Sequence, residues 1–418
     1  MRTAAVAALT VLLAALPLLR PLGDQPARQH DLRQIAETVE QHEWGLGRQP
    51  GRMAAFRRLA ARDVRLAARP MPNWRYLGLV TSLVASLQNP HALVWPDFRA
   101  LSYLPLTFYW TSNGLVTLPV AGAPQGILVG DRVLALGGKT PAQLTVALRR
   151  YIAGSDYDVR YSACRFSYLS ARYALEWLGA VDRQGKVPIT VENAQGRVER
   201  LKLSFVAWPD FLERAGKAQE AFADRFIAPP DVPLTATPYG WHVVAGRYGV
   251  FWLRSFDASV GVLRGLRRFL ATVVRRGAPN IVIDVQGDPG GYYSVVQGVA
   301  QLLHHVQYDV WRHAYILTDW GSFSASVLLA EEFLSLGIGP VVGEPTGEDL
   351  EVSGESGFAA AETGVVYQLA VDPPTDLLHR EAKAIYPSTP VPLTVQDVQR
   401  GVNPVGRWLG TLSATAPN

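Results

Sequence analysis

Residues Tyr315 to Ser326 read YILTDWGSFSAS, with three serines among the last five positions. An apolar run ends in Thr318 and Asp319, and the VLLAEEFLSLG that follows the loop has helical character. A strand-to-helix turn built from small hydroxyl residues has two readings. Serine caps helices and fills tight turns. Alternatively, one serine is a nucleophile, and the chain must then supply a base and donors for a developing oxyanion. A second loop, DVQGDPGGYYS, follows another apolar run and precedes another helix. Its Gly290 and Gly291 allow backbone N–H groups to face an anion with no Cβ in the way. The loop lacks the Gly-x-Gly-x-x-Gly and Gly-Lys-Ser/Thr phosphate patterns, and alone it reads equally as a tight turn. Together the two loops offer a hydroxyl and paired amide donors at the carboxyl ends of core strands, where α/β sheets build their sites. GSFSAS does not match Gly-x-Ser-x-Gly, so an ordinary α/β-hydrolase elbow is not expected.

A base has to come from the eight histidines or the scattered lysines. His304 and His305 are neighbours in an apparent helix and point different ways, so they do not share a metal easily. No His-Glu-x-x-His or Cys-x-x-Cys pattern occurs, and neither a metal nor an organic cofactor is implied. The single cysteine, Cys164, cannot form an intrachain disulfide. The residues alone leave the choice of base open, with His242 and His313 among the candidates.

The 418 residues suffice for two or three domains, and 48% hydrophobic with 18% charged residues is an ordinary globular balance. A net charge of +4, from 40 basic and 36 acidic side chains, is too small an excess to suggest nucleic acid as a partner. Residues 1–22, opening MRTAAVAALTVLLAALPLLRP, read as a secretory signal peptide. Because Pro17, Arg20 and Pro21 interrupt any tidy cleavage site, retention as an N-terminal membrane anchor is the other reading. The expected location is outside the cytoplasm: a bacterial periplasm, cell envelope or the extracellular space.

Residues 31–95 are expected to be helical, with Asp31 capping DLRQIAETVEQHEWG and Asn73 capping NWRYLGLVTSLVASL. Residues 101–206 carry short strands with hairpin turns near Asn113–Gly114 and Asn193–Gly196. From 240 to 418, strands and helices alternate, which predicts an α/β layer with parallel strands.

The order of these segments resembles the tail-specific (C-terminal-processing) and tricorn-type serine peptidases. GILVGDRVLALGGKTPAQL resembles part of their PDZ-like domain, and NIVIDVQGDPGG their glycine loop. LTDWGSFSASVLLAEEF with GPVVGEPTG resembles their nucleophile helix and next strand, and IYPSTPVPLTVQDVQRGVNPV their closing segment. The likeness spans most of residues 75–410. It implies a crotonase/ClpP-like layered α/β core over 240–418, preceded by a PDZ-like β-rich domain at 101–206 and the helical region. It places the nucleophile at Ser324, with oxyanion donors at Ala325 and at Gly290 or Gly291. Ser322 and Ser326 become cap or packing residues. The branch that uses a lysine after GEPT is not matched, because Gly347, Glu348 and Asp349 stand there. The tricorn-like branch takes its histidine base from an early loop, and SLQNPHALV puts His91 at that place, with Asn89 and Pro90 where the family has Asp and Gly. The orienting acid then falls on Glu381 in HREAKAIYPS. Gln286, Pro289 and Ser388 also depart from the family pattern. The resemblance implies peptide-bond hydrolysis through an acyl-enzyme, with peptides or unfolded proteins as substrates. The alternative is an inactive relative that binds peptides or an apolar ligand.

Overall fold

The computed structural model describes residues 23–46, 50–95, 102–120, 123–124, 126–229, 238–257, 259–310, 313–348, 354–372 and 384–412. The leader at 1–22 and Glu381 lie outside the described residues.

Three helices open the described chain: α1 (Gln25–His42), α2 (Pro50–Ala67) and α3 (Asn73–Ala85), followed by the short strand β1 (Leu93–Trp95). The cap of α1 is Asp24, whose side chain accepts the Ala27 N–H, so the helix begins about two turns earlier than the Asp31 cap expected from sequence. Asp31 instead lies buried inside the helix, where its two oxygens accept the N–H groups of Glu362 and Thr363 at 2.9 and 2.8 Å. Asn73 likewise is the first helical residue and not the cap. Every residue of α3 from Tyr76 to Ala85 is buried. A helix apolar all round must be packed all round, and α3 forms the rod of the N-terminal unit.

The middle unit contains β2 (Ser102–Tyr103), β3 (Leu106–Thr111), β4 (Gly114–Pro119), β5 (Arg132–Leu136), α4 (Pro141–Leu148), α5 (Asp156–Arg165), α6 (Arg172–Trp177), β6 (Val187–Glu192), β7 (Val198–Leu203), β8 (Val206–Ala207) and α7 (Trp208–Phe226). Strands β3 to β7 form one antiparallel sheet in chain order, with α4, α5 and α6 inserted along the path. The turn between β3 and β4 falls at Ser112–Asn113, since Thr111 pairs with Gly114. Asn193 builds the second hairpin by accepting the N–H groups of Gln195 and Arg197, each at 3.0 Å.

The last unit comprises β9 (Tyr239–Val244), β10 (Tyr248–Leu253), α8 (Ser259–Arg276), β11 (Asn280–Asp284), α9 (Tyr293–Val310), β12 (His313–Thr318), α10 (Ala325–Ser335), β13 (Val341–Gly343), β14 (Glu355–Ala359), β15 (Val366–Ala370), β16 (Thr389–Pro390), α11 (Val395–Arg400) and α12 (Pro404–Thr411). Six strands make one sheet in the order β16-β13-β12-β11-β10-β9. All neighbours are parallel except the edge strand β9, which is antiparallel to β10. Every residue of β10 and β11 is buried, as expected for strands covered on both faces. Phe251, Ile283 and Ile316 pack on one face with Leu266, Phe269, Val299 and Phe333. Val250, Val282 and Leu317 pack on the other with Val405 and Leu409. The layered α/β core with parallel strands is therefore the architecture anticipated from the alternation.

Strands β14 and β15 leave this sheet. They form a hairpin whose second strand pairs antiparallel with β1, with Leu93 opposite Gln368 and Trp95 opposite Val366. A three-stranded sheet thus joins residues some 270 positions apart (368 minus 93 is 275). Asp31 fastens the turn of that hairpin to α1. Asp31→Ala should strand the buried Thr363 N–H and lower unfolding stability by about 1–3 kcal/mol, read as a lower urea midpoint with an unchanged slope.

Candidate active site

The site lies at the carboxyl ends of β11 and β12, whose parallel register sets Asp284 beside Leu317. The loops leaving these strands are tied to each other. Asp319 Oδ1 accepts the N–H of Gly287 at 2.8 Å and of Gly321 at 2.9 Å. The Asp288 carbonyl accepts the Phe323 N–H at 3.0 Å. The loops touch so closely that a Cβ on Gly321 would lie 2.8 Å from the Gly287 Cα.

The three serines separate by their partners. Ser322 Oγ donates to the Val285 carbonyl at 2.9 Å and accepts the Asp319 N–H at 3.1 Å. Ser326 Oγ donates to the Asp288 carbonyl at 3.1 Å. Both are fully buried, so both are packing residues. Ser324 differs, for its hydroxyl has no hydrogen-bond partner among the described residues. It is the N-cap residue of α10, with φ 54° and ψ −120°. A non-glycine residue held there costs about 1–3 kcal/mol and persists only where the surroundings enforce it. The conformation is that of a nucleophile elbow, which aims the hydroxyl outward at a helix N-terminus. Ser322 and Ser326 stand two residues to either side, where the elbow motif has glycines. The signal available in the sequence was therefore small-x-Ser-x-small, which the strict glycine pattern missed.

Gly290 makes room for this turn. A Cβ on Gly290 would lie 2.6 Å from the Ser324 Cβ and 2.8 Å from the Ala325 N, and its φ is +98°. Its own N–H donates to Asp288 Oδ1 at 2.8 Å. Gly290 thus contributes space, and its N–H is donated to Asp288. Gly291 and Ala325 flank the same turn. Beneath them sit buried acids. Burial pushes Asp288 up to about 7 and Asp319 up to about 6, and burial likewise raises Glu344 to about 8. Asp284 pairs with the Arg254 guanidinium at 2.5 Å.

His91 arrives from the far end of the chain. Asn89 Oδ1 accepts the His91 N–H at 2.9 Å and so forms the turn between α3 and β1. Gln368 of β15 donates to the His91 carbonyl at 3.0 Å. The buried ring lies 5.6 Å, centroid to centroid, from the ring of Phe323, the neighbour of Ser324. Glu355 Oε2 is 3.0 Å from Nδ1, and Glu348 Oε1 is 2.7 Å from Nε2. The second contact is a close ion pair whose approach misses hydrogen-bond alignment. The other oxygen of Glu348 accepts the Ser324 N–H at 2.5 Å. Burial alone would depress the imidazole pKa, but Glu348 and then Glu355 outweigh it and hold His91 up at about 10. On Glu355, burial works upward and the His91 contact prevails, leaving its carboxyl below the ordinary range.

The structure therefore brings His91 to the Ser324 turn. It adds two acids that the sequence analysis did not assign, Glu348 and Glu355. Glu348 was visible only as one of the three residues, Gly347 to Asp349, in the loop where the family has its lysine; Glu355, in the polar run EVSGESG, gave no signal. His313 opens β12 at the end opposite Ser324, and His242 lies on the edge strand β9, so neither competes as a base. Cys164 is buried, which pushes its thiol up. Among the described residues, no group of three His, Cys, Asp or Glu side chains could hold a metal ion, and no helix is long and apolar enough to cross a membrane.

The sequence matches no family model and no curated protein. Among solved structures, mature CPAF complexed with lactacystin superposes at TM-score 0.66 and 13% identity, covering 92% of this chain and 97% of that one. Mature CPAF alone gives 0.63 and 12%, covering 92% and 96%. The photosystem II D1 C-terminal processing protease covers 91% of this chain and 99% of its own at 14% identity, with a TM-score of 0.44. The likeness to CPAF shows a shared fold along nearly the whole chain.

Two outcomes follow from the geometry. Gly290→Ala should lower stability by at least ~1 kcal/mol, since φ is positive and the added methyl meets Ser324; thermal unfolding reads this. The His91 pair should make stability depend on pH. The folded value of about 10 lies above the unfolded value, near ~6.5, so the contribution is complete below that lower value. It declines as pH rises and is lost on passing about 10. Urea unfolding of the wild type and of His91→Gln should therefore converge across that window. A constant gap between them would show that His91 is not held protonated.

Proposed function

We propose that the chain is a serine peptidase of the tricorn-like branch of the tail-specific family, with Ser324 as nucleophile and His91 as base. The observation that carries this reading is the Ser324 turn: a hydroxyl with no partner among the described residues, in a strained elbow at a helix N-terminus, with an imidazole against the neighbouring Phe323 ring. The fold shared with CPAF supports it.

In the forward reaction, Ser324 Oγ bonds to the substrate carbonyl carbon while His91 Nε2 takes its proton. Negative charge gathers on the former carbonyl oxygen. The N–H of Ala325, at the positive end of α10, and the N–H of Gly291 are the donors assigned to it. The C–N bond then breaks as His91 returns the proton to the departing amine. Water, activated by the same imidazole, releases the acyl group from Ser324. Glu355, which faces Nδ1 at 3.0 Å, is the described acid suited to orienting the ring. Glu381 is the acid at the family's position. Substrates are peptides or unfolded chains, and export under the direction of residues 1–22, with membrane attachment if that segment is retained, belongs to the same proposal. The middle unit, likened to a PDZ domain, is assigned to substrate contact because it packs on the nucleophile loop: Trp320 donates its indole N–H to the Trp110 carbonyl at 2.8 Å.

A second reading, an inactive protein that binds peptides or an apolar ligand on this scaffold, is favoured by one contact. His91 Nε2 faces Glu348 at 2.7 Å. A fluorophosphonate probe separates the two readings. The peptidase should label covalently, lose the label entirely in Ser324→Ala, and lose about 100-fold or more in rate in His91→Ala. A folded wild type that never labels, under any pH from neutral to alkaline, supports the binder.

A further inference from the structure

Both nitrogens of His91 are occupied, and from opposite sides. Glu355 takes Nδ1, the position from which an acid orients a base. Glu348 takes Nε2, the nitrogen that a nucleophilic serine needs, and with its second oxygen takes the Ser324 N–H. One fully buried carboxylate therefore spans the base and the backbone of the nucleophile. The main chain leading into it is anchored. The Gly347 N–H donates to the Ser322 carbonyl at 3.0 Å and the Thr346 N–H to the Ile385 carbonyl at 3.1 Å. A side chain at position 347 would collide with the Trp320 carbonyl, with its Cβ 1.8 Å away.

We infer that Glu348 is an inhibitory carboxylate built into the site: it holds the peptidase latent by occupying His91 Nε2 and the Ser324 N–H, and hydrolysis requires it to swing away. The inference rests on the serine-peptidase reading above and assigns that site its regulation. Three physical points support it. An imidazole flanked by two carboxylates is stable as imidazolium, which has no lone pair with which to accept the Ser324 proton. Loss of that proton would turn one nitrogen lone pair toward a carboxylate, and the repulsion would expel Glu348, so forming the base and releasing the acid are one event. Finally, a carboxylate at the amino end of α10 enjoys the field meant for an oxyanion, so it competes with the charge that the reaction must develop there. The other charged groups around this corner are Asp288 and Asp319 in the two loops and Arg165 on α5, which act together with Glu348 on Tyr161. No cation of the described residues pairs with Glu348 besides His91.

The test uses the full chain and a fluorophosphonate probe from pH 6 to alkaline conditions. Wild type should label slowly at neutral pH and faster as pH rises. Glu348→Ala should label at least ~10-fold faster at neutral pH, and the midpoint of its pH profile should fall, since a neighbouring opposite charge typically shifts a pKa by 1–3 units. Glu348→Gln keeps the shape without the charge and guards against a variant that does not fold. Its His91 ring, followed by NMR titration, should bind a proton at least ~10-fold more weakly than in wild type. If wild type labels at neutral pH as fast as both variants, or if the His91 titration is unchanged in Glu348→Gln, the latch is overturned while the nucleophile stands. If no variant labels although all are folded, the serine-peptidase reading fails and the latch fails with it.

Discussion

The contact between one imidazole and two carboxylates is the constraint around which the rest of the molecule is arranged. His91 belongs to the N-terminal unit, and Glu348 and Glu355 belong to the last. Two charges removed from water at such a point are tolerable only if they meet within hydrogen-bond distance. The fold meets that demand with backbone. The β14–β15 hairpin crosses from the α/β unit to pair with β1, and β1 follows His91 by a single residue. Behind it α3 is buried from Tyr76 to Ala85, and Asp31 of α1 secures the hairpin turn. Without these supports the ring would be at the end of an exposed loop.

The serine side of the site depends on a different device. A strained residue persists because neighbouring groups leave it no alternative. Here the two loops after β11 and β12 are laced by backbone N–H groups donated to buried acids: Gly287 and Gly321 to Asp319, Gly290 to Asp288, Gln286 to Asp284. Burial pushes both carboxyls up, and their oxygens accept these N–H groups in place of water. Arg254 offsets part of the negative charge through its contact with Asp284. The same acids therefore position the Ser324 turn without touching its hydroxyl.

Local patterns were legible in the sequence because they depend on near neighbours. The strand-helix alternation, the glycine loop, the serine-rich turn and the hairpins at Asn113 and Asn193 all follow from periodicity and turn chemistry. His91 was legible only through the motif around it, since nothing in SLQNPHALV by itself reports a partner more than 250 residues away. Asp31 illustrates the opposite failure. An aspartate ahead of an apolar run reads as a cap, yet its real acceptors lie in the Glu362–Thr363 turn, and tertiary demand overrode the local preference. Glu348 and Glu355 were missed for the same reason. Acids in polar loops look solvated until the fold places a buried cation against them.

The middle unit takes part in this arrangement through stacked rings. Tyr161 of α5 lies flat on Phe323, with centroids 4.5 Å apart and planes 8° from parallel, and the Phe323 ring also meets His91. Tyr109 packs on Trp320 at 4.7 Å, and the Trp320 indole is bonded to the Trp110 carbonyl. Phe323 and Trp320 bracket the residues that lead into the elbow, so the nucleophile turn is clamped from the β-rich unit as well as from its own sheet. Close-packed aromatic contacts do not deform smoothly. A displacement of α5 large enough to break the Tyr161–Phe323 stack would have to move a ring that touches the base. The middle unit and the Glu348–His91 contact are thus joined through one side chain, Phe323.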